Sequence, residues 1–233
     1  MTTPSLTIDV VSDVMCPWCY IGKRRLEAAL EEVAGEIDVE IRWRPYQLDA
    51  TLPKQGKDRQ QYLEDKFGGA EGATQAYAAV RAAGADENIP FAFDKIPVSA
   101  NTLDAHRLIR WASSLGLDAQ DRMVEVLFKA YFEEGKNIGD DAVLAEAGEQ
   151  VGLERPVVER LLAGDADRDT ITAEIDQARQ MGVTGVPCFI IDMQYALVGA
   201  QSGPALADAM RKVVLEKSKQ QPDAAPDGSD MPN

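Results

Sequence analysis

Leu6-Thr7-Ile8-Asp9-Val10-Val11-Ser12-Asp13-Val14-Met15-Cys16-Pro17-Trp18-Cys19 decides how the rest of the chain is read. Residues 6–12 are rich in Val and Ile and hold neither Pro nor Gly, which predicts a buried strand. Beyond the cysteines, Ile21, Leu26, Ala29, Leu30 and Val33 recur at helical spacing until Gly35, which predicts an amphipathic helix. The Cys-Pro-Trp-Cys motif therefore lies where a strand hands over to a helix. First-turn amides of a helix are unpaired and carry partial positive charge. A cysteine there is favoured as thiolate, the species that attacks disulfides, and its pKa can fall well below the free value of about 8.5. Pro17 suits the first helical position, which needs no N–H. Two intervening residues put Cys19 one turn on, within reach of Cys16. Cys16 is then expected as the exposed nucleophile and Cys19 as the deeper, resolving thiol. Trp18 reads as a lid over the pair that tunes its potential, while Trp43, Tyr46, Trp111 and Tyr131 read as core or cleft lining.

Working outward, Ile37, Val39, Ile41 and Trp43 alternate with Asp38, Glu40, Arg42 and Arg44. Period two predicts a strand with one face buried, so the first part is a βαβ unit with a right-handed crossover. From 55 to 182 strand patterns vanish. Helices are predicted over 60–67 and 73–83, then a break over 89–97. Further helices are marked by Leu103, Leu108 and Ala112, by Met123, Leu127 and Tyr131, and over 157–162 and 171–181. Asp140 is a candidate N-cap for a helix through Val151. Short apolar runs at 187–192 and 195–198 predict a β-hairpin, and Leu206, Met210 and Val213 a last helix. From 219 onward the chain is too poor in apolar residues to fold and is expected to be a disordered acidic tail.

The fold class expected is α/β, with a βαβ segment at 1–54, an all-helical insertion domain at 55–182, a ββα segment at 183–218 and the tail at 219–233. Lys and Arg number 24 against 39 Asp and Glu, a formal charge of −15. That balance argues against nucleic-acid and anionic-membrane partners, which need a concentrated basic surface. The short Lys23-Arg24-Arg25 cluster reads as a solvated helix face. The N-terminus has no basic region followed by an apolar stretch of signal-peptide length, and no run approaches the roughly 20 apolar residues of a membrane span. A cytoplasmic location is the expectation. Three cysteines make a structural disulfide framework improbable. Half of a zinc site is the rival for Cys-x-x-Cys, but only Cys188 and His106 could supply further soft or imidazole ligands. No metal is expected.

Three segments, taken in order, carry a resemblance: Asp13-Val14-Met15-Cys16-Pro17-Trp18-Cys19-Tyr20-Ile21-Gly22, then Asn101-Thr102 with Ala105-His106-Arg107, then Gly182-Val183-Thr184-Gly185-Val186-Pro187. Strand, C-P-x-C, helix, strand, helical insertion, T-G-V-P, hairpin and helix resemble the DsbA family. The details are most similar to its cytoplasmic FrnE-like branch, which also resembles 2-hydroxychromene-2-carboxylate isomerases and kappa-class glutathione transferases. The resemblance implies a thioredoxin-like fold with a large all-helical insertion, and thiol–disulfide exchange on disulfide-containing proteins or small thiols. It implies that Pro187, which on local sequence alone could be an ordinary trans proline opening a strand, is cis and packs against the dithiol. Val186 could then offer its N–H and C=O to an extended substrate. It also implies that the helix bearing Asn101, His106 and Arg107 faces the cleft, where it could bind substrate or steady the thiolate. No organic cofactor is required, and glutathione as a co-substrate stays open.

The isomerase and transferase relatives carry serine where this chain has Cys16. A cysteine there, with Cys19 present, favours redox chemistry over glutathione-assisted isomerisation. A glutathione-dependent isomerase or transferase, or a thiol-based metal or redox sensor, remain the alternatives. Cys188, directly after Pro187, falls outside the family pattern. It is either a small buried hydrophobe or a third thiol near the site.

Overall fold

Ser5–Ser12 forms β1, the centre of a four-stranded sheet in a computed structural model that describes residues 3–220. β2 (Asp38–Pro45) runs parallel to it, in register from Ser5 opposite Asp38 to Ser12 opposite Pro45. β5 (Cys188–Ile191) pairs antiparallel on the other side, and β6 (Tyr195–Val198) completes the order β2-β1-β5-β6. α1 (Pro17–Glu32) joins β1 to β2 and packs beside α9 (Gly203–Gln220). The two helices close tightly because residue 203 is glycine: a Cβ there would lie 3.3 Å from that of Ala28. Arg211 then bridges to Glu32 and Glu36. This is a thioredoxin-like fold with a helical block carried between β2 and β5.

That block holds β3 (Lys57–Asp58), α2 (Arg59–Phe67), α3 (Ala70–Asp86), β4 (Val98–Ser99), α4 (Leu103–Ala112), α5 (Leu117–Phe132), α6 (Asp141–Gln150), α7 (Arg155–Leu162) and α8 (Arg168–Gln180). Asp140 caps α6 as expected, its carboxylate accepting from the amides of Ala142 and Val143 at 2.8 and 3.2 Å. Asp58 does the same for α2 through Gln61 N at 2.9 Å. The β3–β4 ladder was not foreseen, because two-residue strands carry no periodicity to detect. α1 begins at Pro17, earlier than its aliphatic repeat, because its first turn holds the motif, whose buried residues are Pro17 and Cys19, followed by Tyr20.

The block is tied to the sheet by polar side chains as well as by packing. Gln120 on α5 pairs both backbone groups of Trp43, accepting from its N–H at 3.1 Å and donating to its C=O at 3.3 Å. It thereby acts as a surrogate strand at this point of the β2 edge, where unpaired groups would otherwise invite another chain. Lys23 corrects the reading of a solvated basic face. It is buried, with Nζ 2.6 Å from Glu27 and 2.9 Å from Asp121, because α5 lies across that side of α1. Tyr20 stacks on Phe128 with ring centroids 4.9 Å apart, fixing the first turn of α1 against the helical block.

α9 extends through Gln220, so Lys219 is helical where the tail was expected to start; the remainder of that expectation lies outside the described residues. Among the described residues no helix is long and apolar enough to cross a membrane.

Candidate active site

Cys16 is the N-cap of α1, in extended backbone at φ −92° and ψ 113°, with Pro17 at the first helical position. Its N–H donates to Asp13 O, and its own carbonyl accepts from Cys19 N, each at 3.0 Å. Asp13 is buried and holds the turn before the motif through both carboxylate oxygens. Oδ2 accepts from Leu48 N at 2.8 Å and Oδ1 from Met15 N at 3.4 Å. The Val186–Pro187 peptide is cis, and the Cys16 thiol lies 3.7 Å from Val186 O, to which it donates. The Val186 carbonyl that sequence reasoning offered to a substrate is thus engaged by the thiol when the cysteines are reduced.

Both cysteines are free, and Cys16 is only 4 % exposed, so it is less open than the sequence suggests. Access comes through a cleft of ≈ 310 Å³ whose walls include Cys16, Trp18, Val186, Leu48, Tyr62 and Tyr77. Cys19 lies behind, and burial pushes its thiol well above the usual range. The hydrogen bond and charge of Cys16 push it further in the same direction, while Ser12 and the Asp13 backbone pull the other way. The Ser12 hydroxyl is buried with no other partner of normal geometry among the described residues. The arrangement gives the two thiols different surroundings: one at the cleft, one held protonated behind it.

Cys16, Pro17, Trp18, Cys19, Val186 and Pro187 are thus brought together. Asn101, His106 and Arg107 are placed elsewhere. Asn101 donates to Leu52 O at 2.6 Å and accepts from Leu103 N at 3.0 Å, shaping the entry to α4. His106 Nε2 lies 2.8 Å from Tyr46 O and 3.5 Å from Asp13 Oδ1, so it reaches the motif only through Asp13. Arg107 is wholly buried, donating to Leu161 O, Gly164 O and Ala166 O at 2.6 to 2.8 Å and pairing with Asp104. It fastens the α7–α8 connection and does not face the cleft. Cys188 packs with Val11, Tyr46, Ala178 and Val183, whereas Phe189 belongs to the cluster that holds Cys16 and Cys19. Strand alternation therefore puts Cys188 on the opposite face of the sheet from the dithiol. Its thiol is also pushed up by burial. Among the described residues no group of three or more His, Cys, Asp or Glu is placed to hold a metal.

Sequence reasoning missed the cleft's far wall, supplied by α2 and α3. Arg59, Tyr62 and Lys66 follow i, i+3, i+7 spacing, one helix face, and that spacing was the available signal. Gly22, which the sequence offered only as the end of a resembling segment, is a close-approach position, where a Cβ would lie 2.8 Å from Pro187 Cγ.

Residues 7–211 match the model of the DSBA-like thioredoxin domain, and the chain belongs to that family. It is similar to a probable DsbA oxidoreductase from Streptomyces coelicolor, at 28% identity and a TM-score of 0.82 over 98% of this chain and 100% of that one. A 2-hydroxychromene-2-carboxylate isomerase structure shares the fold at 16% identity and a TM-score of 0.70, covering 93% and 100% of the two chains. The cytosolic disulfide reductase DsbM from Pseudomonas aeruginosa, solved with GSH, shares it at 20% identity and a TM-score of 0.61, covering 92% and 100%. These neighbours are consistent with the FrnE-like branch, and the family supports thiol–disulfide oxidoreductase chemistry in general.

Proposed function

We propose that this protein is a disulfide reductase or isomerase working through Cys16 and Cys19. One observation carries the reading: a thiol at a helix N-cap opens on a cleft beside Pro187, with a second, protonated thiol directly behind it. The Cys16 thiolate attacks one sulfur of a substrate disulfide. The substrate S–S bond breaks, a Cys16–substrate bond forms, and the released thiolate takes up a proton. Cys19 then loses its proton and attacks Cys16 Sγ, closing the Cys16–Cys19 disulfide and freeing the second substrate thiol. The substrate has gained two electrons and the dithiol has lost them. Two equivalents of an external thiol restore the dithiol, and glutathione, present in the DsbM structure, fits that part as co-substrate. Neither metal nor organic cofactor enters this scheme. We place the activity in the cytoplasm, on small or protein disulfides, with no nucleic-acid or membrane partner.

The test is trapping. Cys19→Ser should accumulate a stable mixed disulfide at Cys16 when given a disulfide substrate, and Cys16→Ser should form none. Full disulfide turnover by Cys19→Ser would contradict the resolving role of Cys19, and glutathione-dependent isomerase or transferase activity that survives Cys19→Ser would favour that alternative reading.

A further inference from the structure

In a chain of net charge −15, the cleft over Cys16 is charged the other way. The charged residues lining it are Arg59 and Lys66, with no carboxylate among them. Arg59 is 5 % exposed. Its guanidinium donates to phenols, Nη1 to Tyr131 Oη at 3.1 Å and Nη2 to Tyr77 Oη at 2.8 Å. It lies 5.3 to 5.8 Å from the ring centres of Tyr77, Phe93 and Tyr131. Among the described residues its Nε has no hydrogen-bond partner and no carboxylate comes within ion-pair distance. Burying a cation without an anion is costly, and phenols and ring faces offset only part of that cost. Lys66 likewise leans on Tyr62, with Nζ 3.3 Å from its hydroxyl. Asp49 approaches Tyr62 and feels both Lys57 and Lys66, so it tempers Lys66. Tyr77, which lines the cleft with Cys16, has its phenol pushed up chiefly by burial, while Arg59 pulls it down and the charge of Cys16 adds to the rise.

We propose that Arg59, seconded by Lys66, binds a substrate carboxylate and so selects low-molecular-weight disulfides that carry one. The proposal rests on the oxidoreductase reading above. A cleft of ≈ 310 Å³ is of small-ligand size, and a guanidinium is the side chain suited to holding a carboxylate. The step itself is the two-electron reduction already described, so no further reactant is needed when the protein is supplied as the dithiol.

The experiment is single turnover of the pre-reduced full chain with 3,3′-dithiodipropionate and with neutral 2-hydroxyethyl disulfide, each rate divided by that for dithiothreitol. Wild type should favour the dicarboxylate by about tenfold, the yield of one charge-assisted hydrogen bond, although the acidic chain as a whole repels it. Arg59→Gln should reduce that preference by about the same factor, and Lys66→Gln should lower it less. Should Arg59→Gln fail to fold, wild type still decides. Adipate, a dicarboxylate without sulfur, should compete against 2-hydroxyethyl disulfide, and absence of competition overturns the proposal. Equal or reversed preference in wild type overturns it as well, while turnover of both disulfides leaves the oxidoreductase reading standing. An equal preference for a cystine peptide flanked by Asp over its Asn counterpart would overturn the small-molecule assignment. If neither disulfide is reduced, the oxidoreductase reading falls and this proposal with it.

Discussion

Gly22 lies directly against Pro187: an ideal Cβ at residue 22 would come within 2.8 Å of the proline Cγ and 3.3 Å of Phe189 Cζ. The spacing between α1 and the segment that faces Cys16 is therefore set by the absence of a side chain one turn past the motif. Gly22→Ala should force α1 off Pro187, lowering stability by about 1–3 kcal/mol, as overpacking does, and slowing disulfide exchange. Thermal melts and stopped-flow rates check both, and an unchanged exchange rate would show that this spacing is not critical.

Ser12 bears on the second thiol. Its buried hydroxyl favours ionised Cys19 and has no hydrogen-bond partner of normal geometry among the described residues. Ser12→Ala should leave stability within about 1 kcal/mol, because a poorly satisfied hydroxyl is removed along with its desolvation cost. Release of the mixed disulfide should slow, because Cys19 is then harder to deprotonate. Rapid-quench trapping of the mixed disulfide reads this step, and unaltered decay would rule the hydroxyl out.

Arg107 looks like a site residue in the sequence but acts as a clamp in the fold. Arg107→Lys cannot reach three carbonyls and Asp104 at once and should cost about 2–4 kcal/mol, the range for breaking a buried charged network. Exchange by the folded fraction should stay near wild type. Urea denaturation and initial rates distinguish this from a substrate-binding role, which would raise KM with stability intact.

Alkaline pH should weaken the reduced protein. The Cys19 and Cys188 thiols and the Tyr20 and Tyr62 phenols are all raised in the fold, chiefly by burial. An unfolded chain loses thiol protons near about 8.5 and phenol protons near about 10 while the folded chain keeps them. Their contribution is complete below those values and declines as pH rises past them. The urea midpoint should therefore fall between about pH 8 and pH 10, and a flat midpoint over that interval would contradict these assignments.

Strong periodicity made the frame legible. The alternation through Trp43, the apolar repeat of α1 and the acidic cap at Asp140 are local signals, and each lies where it was expected. The position of Cys16 and Cys19 was legible too, because a strand pattern followed by a helical one puts Cys-Pro-Trp-Cys at a helix N-terminus. The positions of Asn101, His106 and Arg107 were not, since their partners lie on Leu52, Tyr46 and the α7–α8 connection, distant in sequence. Lys23 misled for the same reason: nothing near it in the chain shows that α5 will cover it. Arg59 and Lys66 belong to the cleft only once α2 and α3 are brought over the motif.

The most direct measurement is a redox titration of the purified protein in glutathione buffers, following Cys16, Cys19 and Cys188 by alkylation and intact mass. A reversible two-electron couple confined to Cys16 and Cys19 is expected, at a potential within the span of about −270 to −120 mV known for Cys-x-x-Cys proteins, with Cys188 reduced throughout. Failure of any Cys16–Cys19 disulfide to form, or its formation through Cys188 instead, would contradict the account.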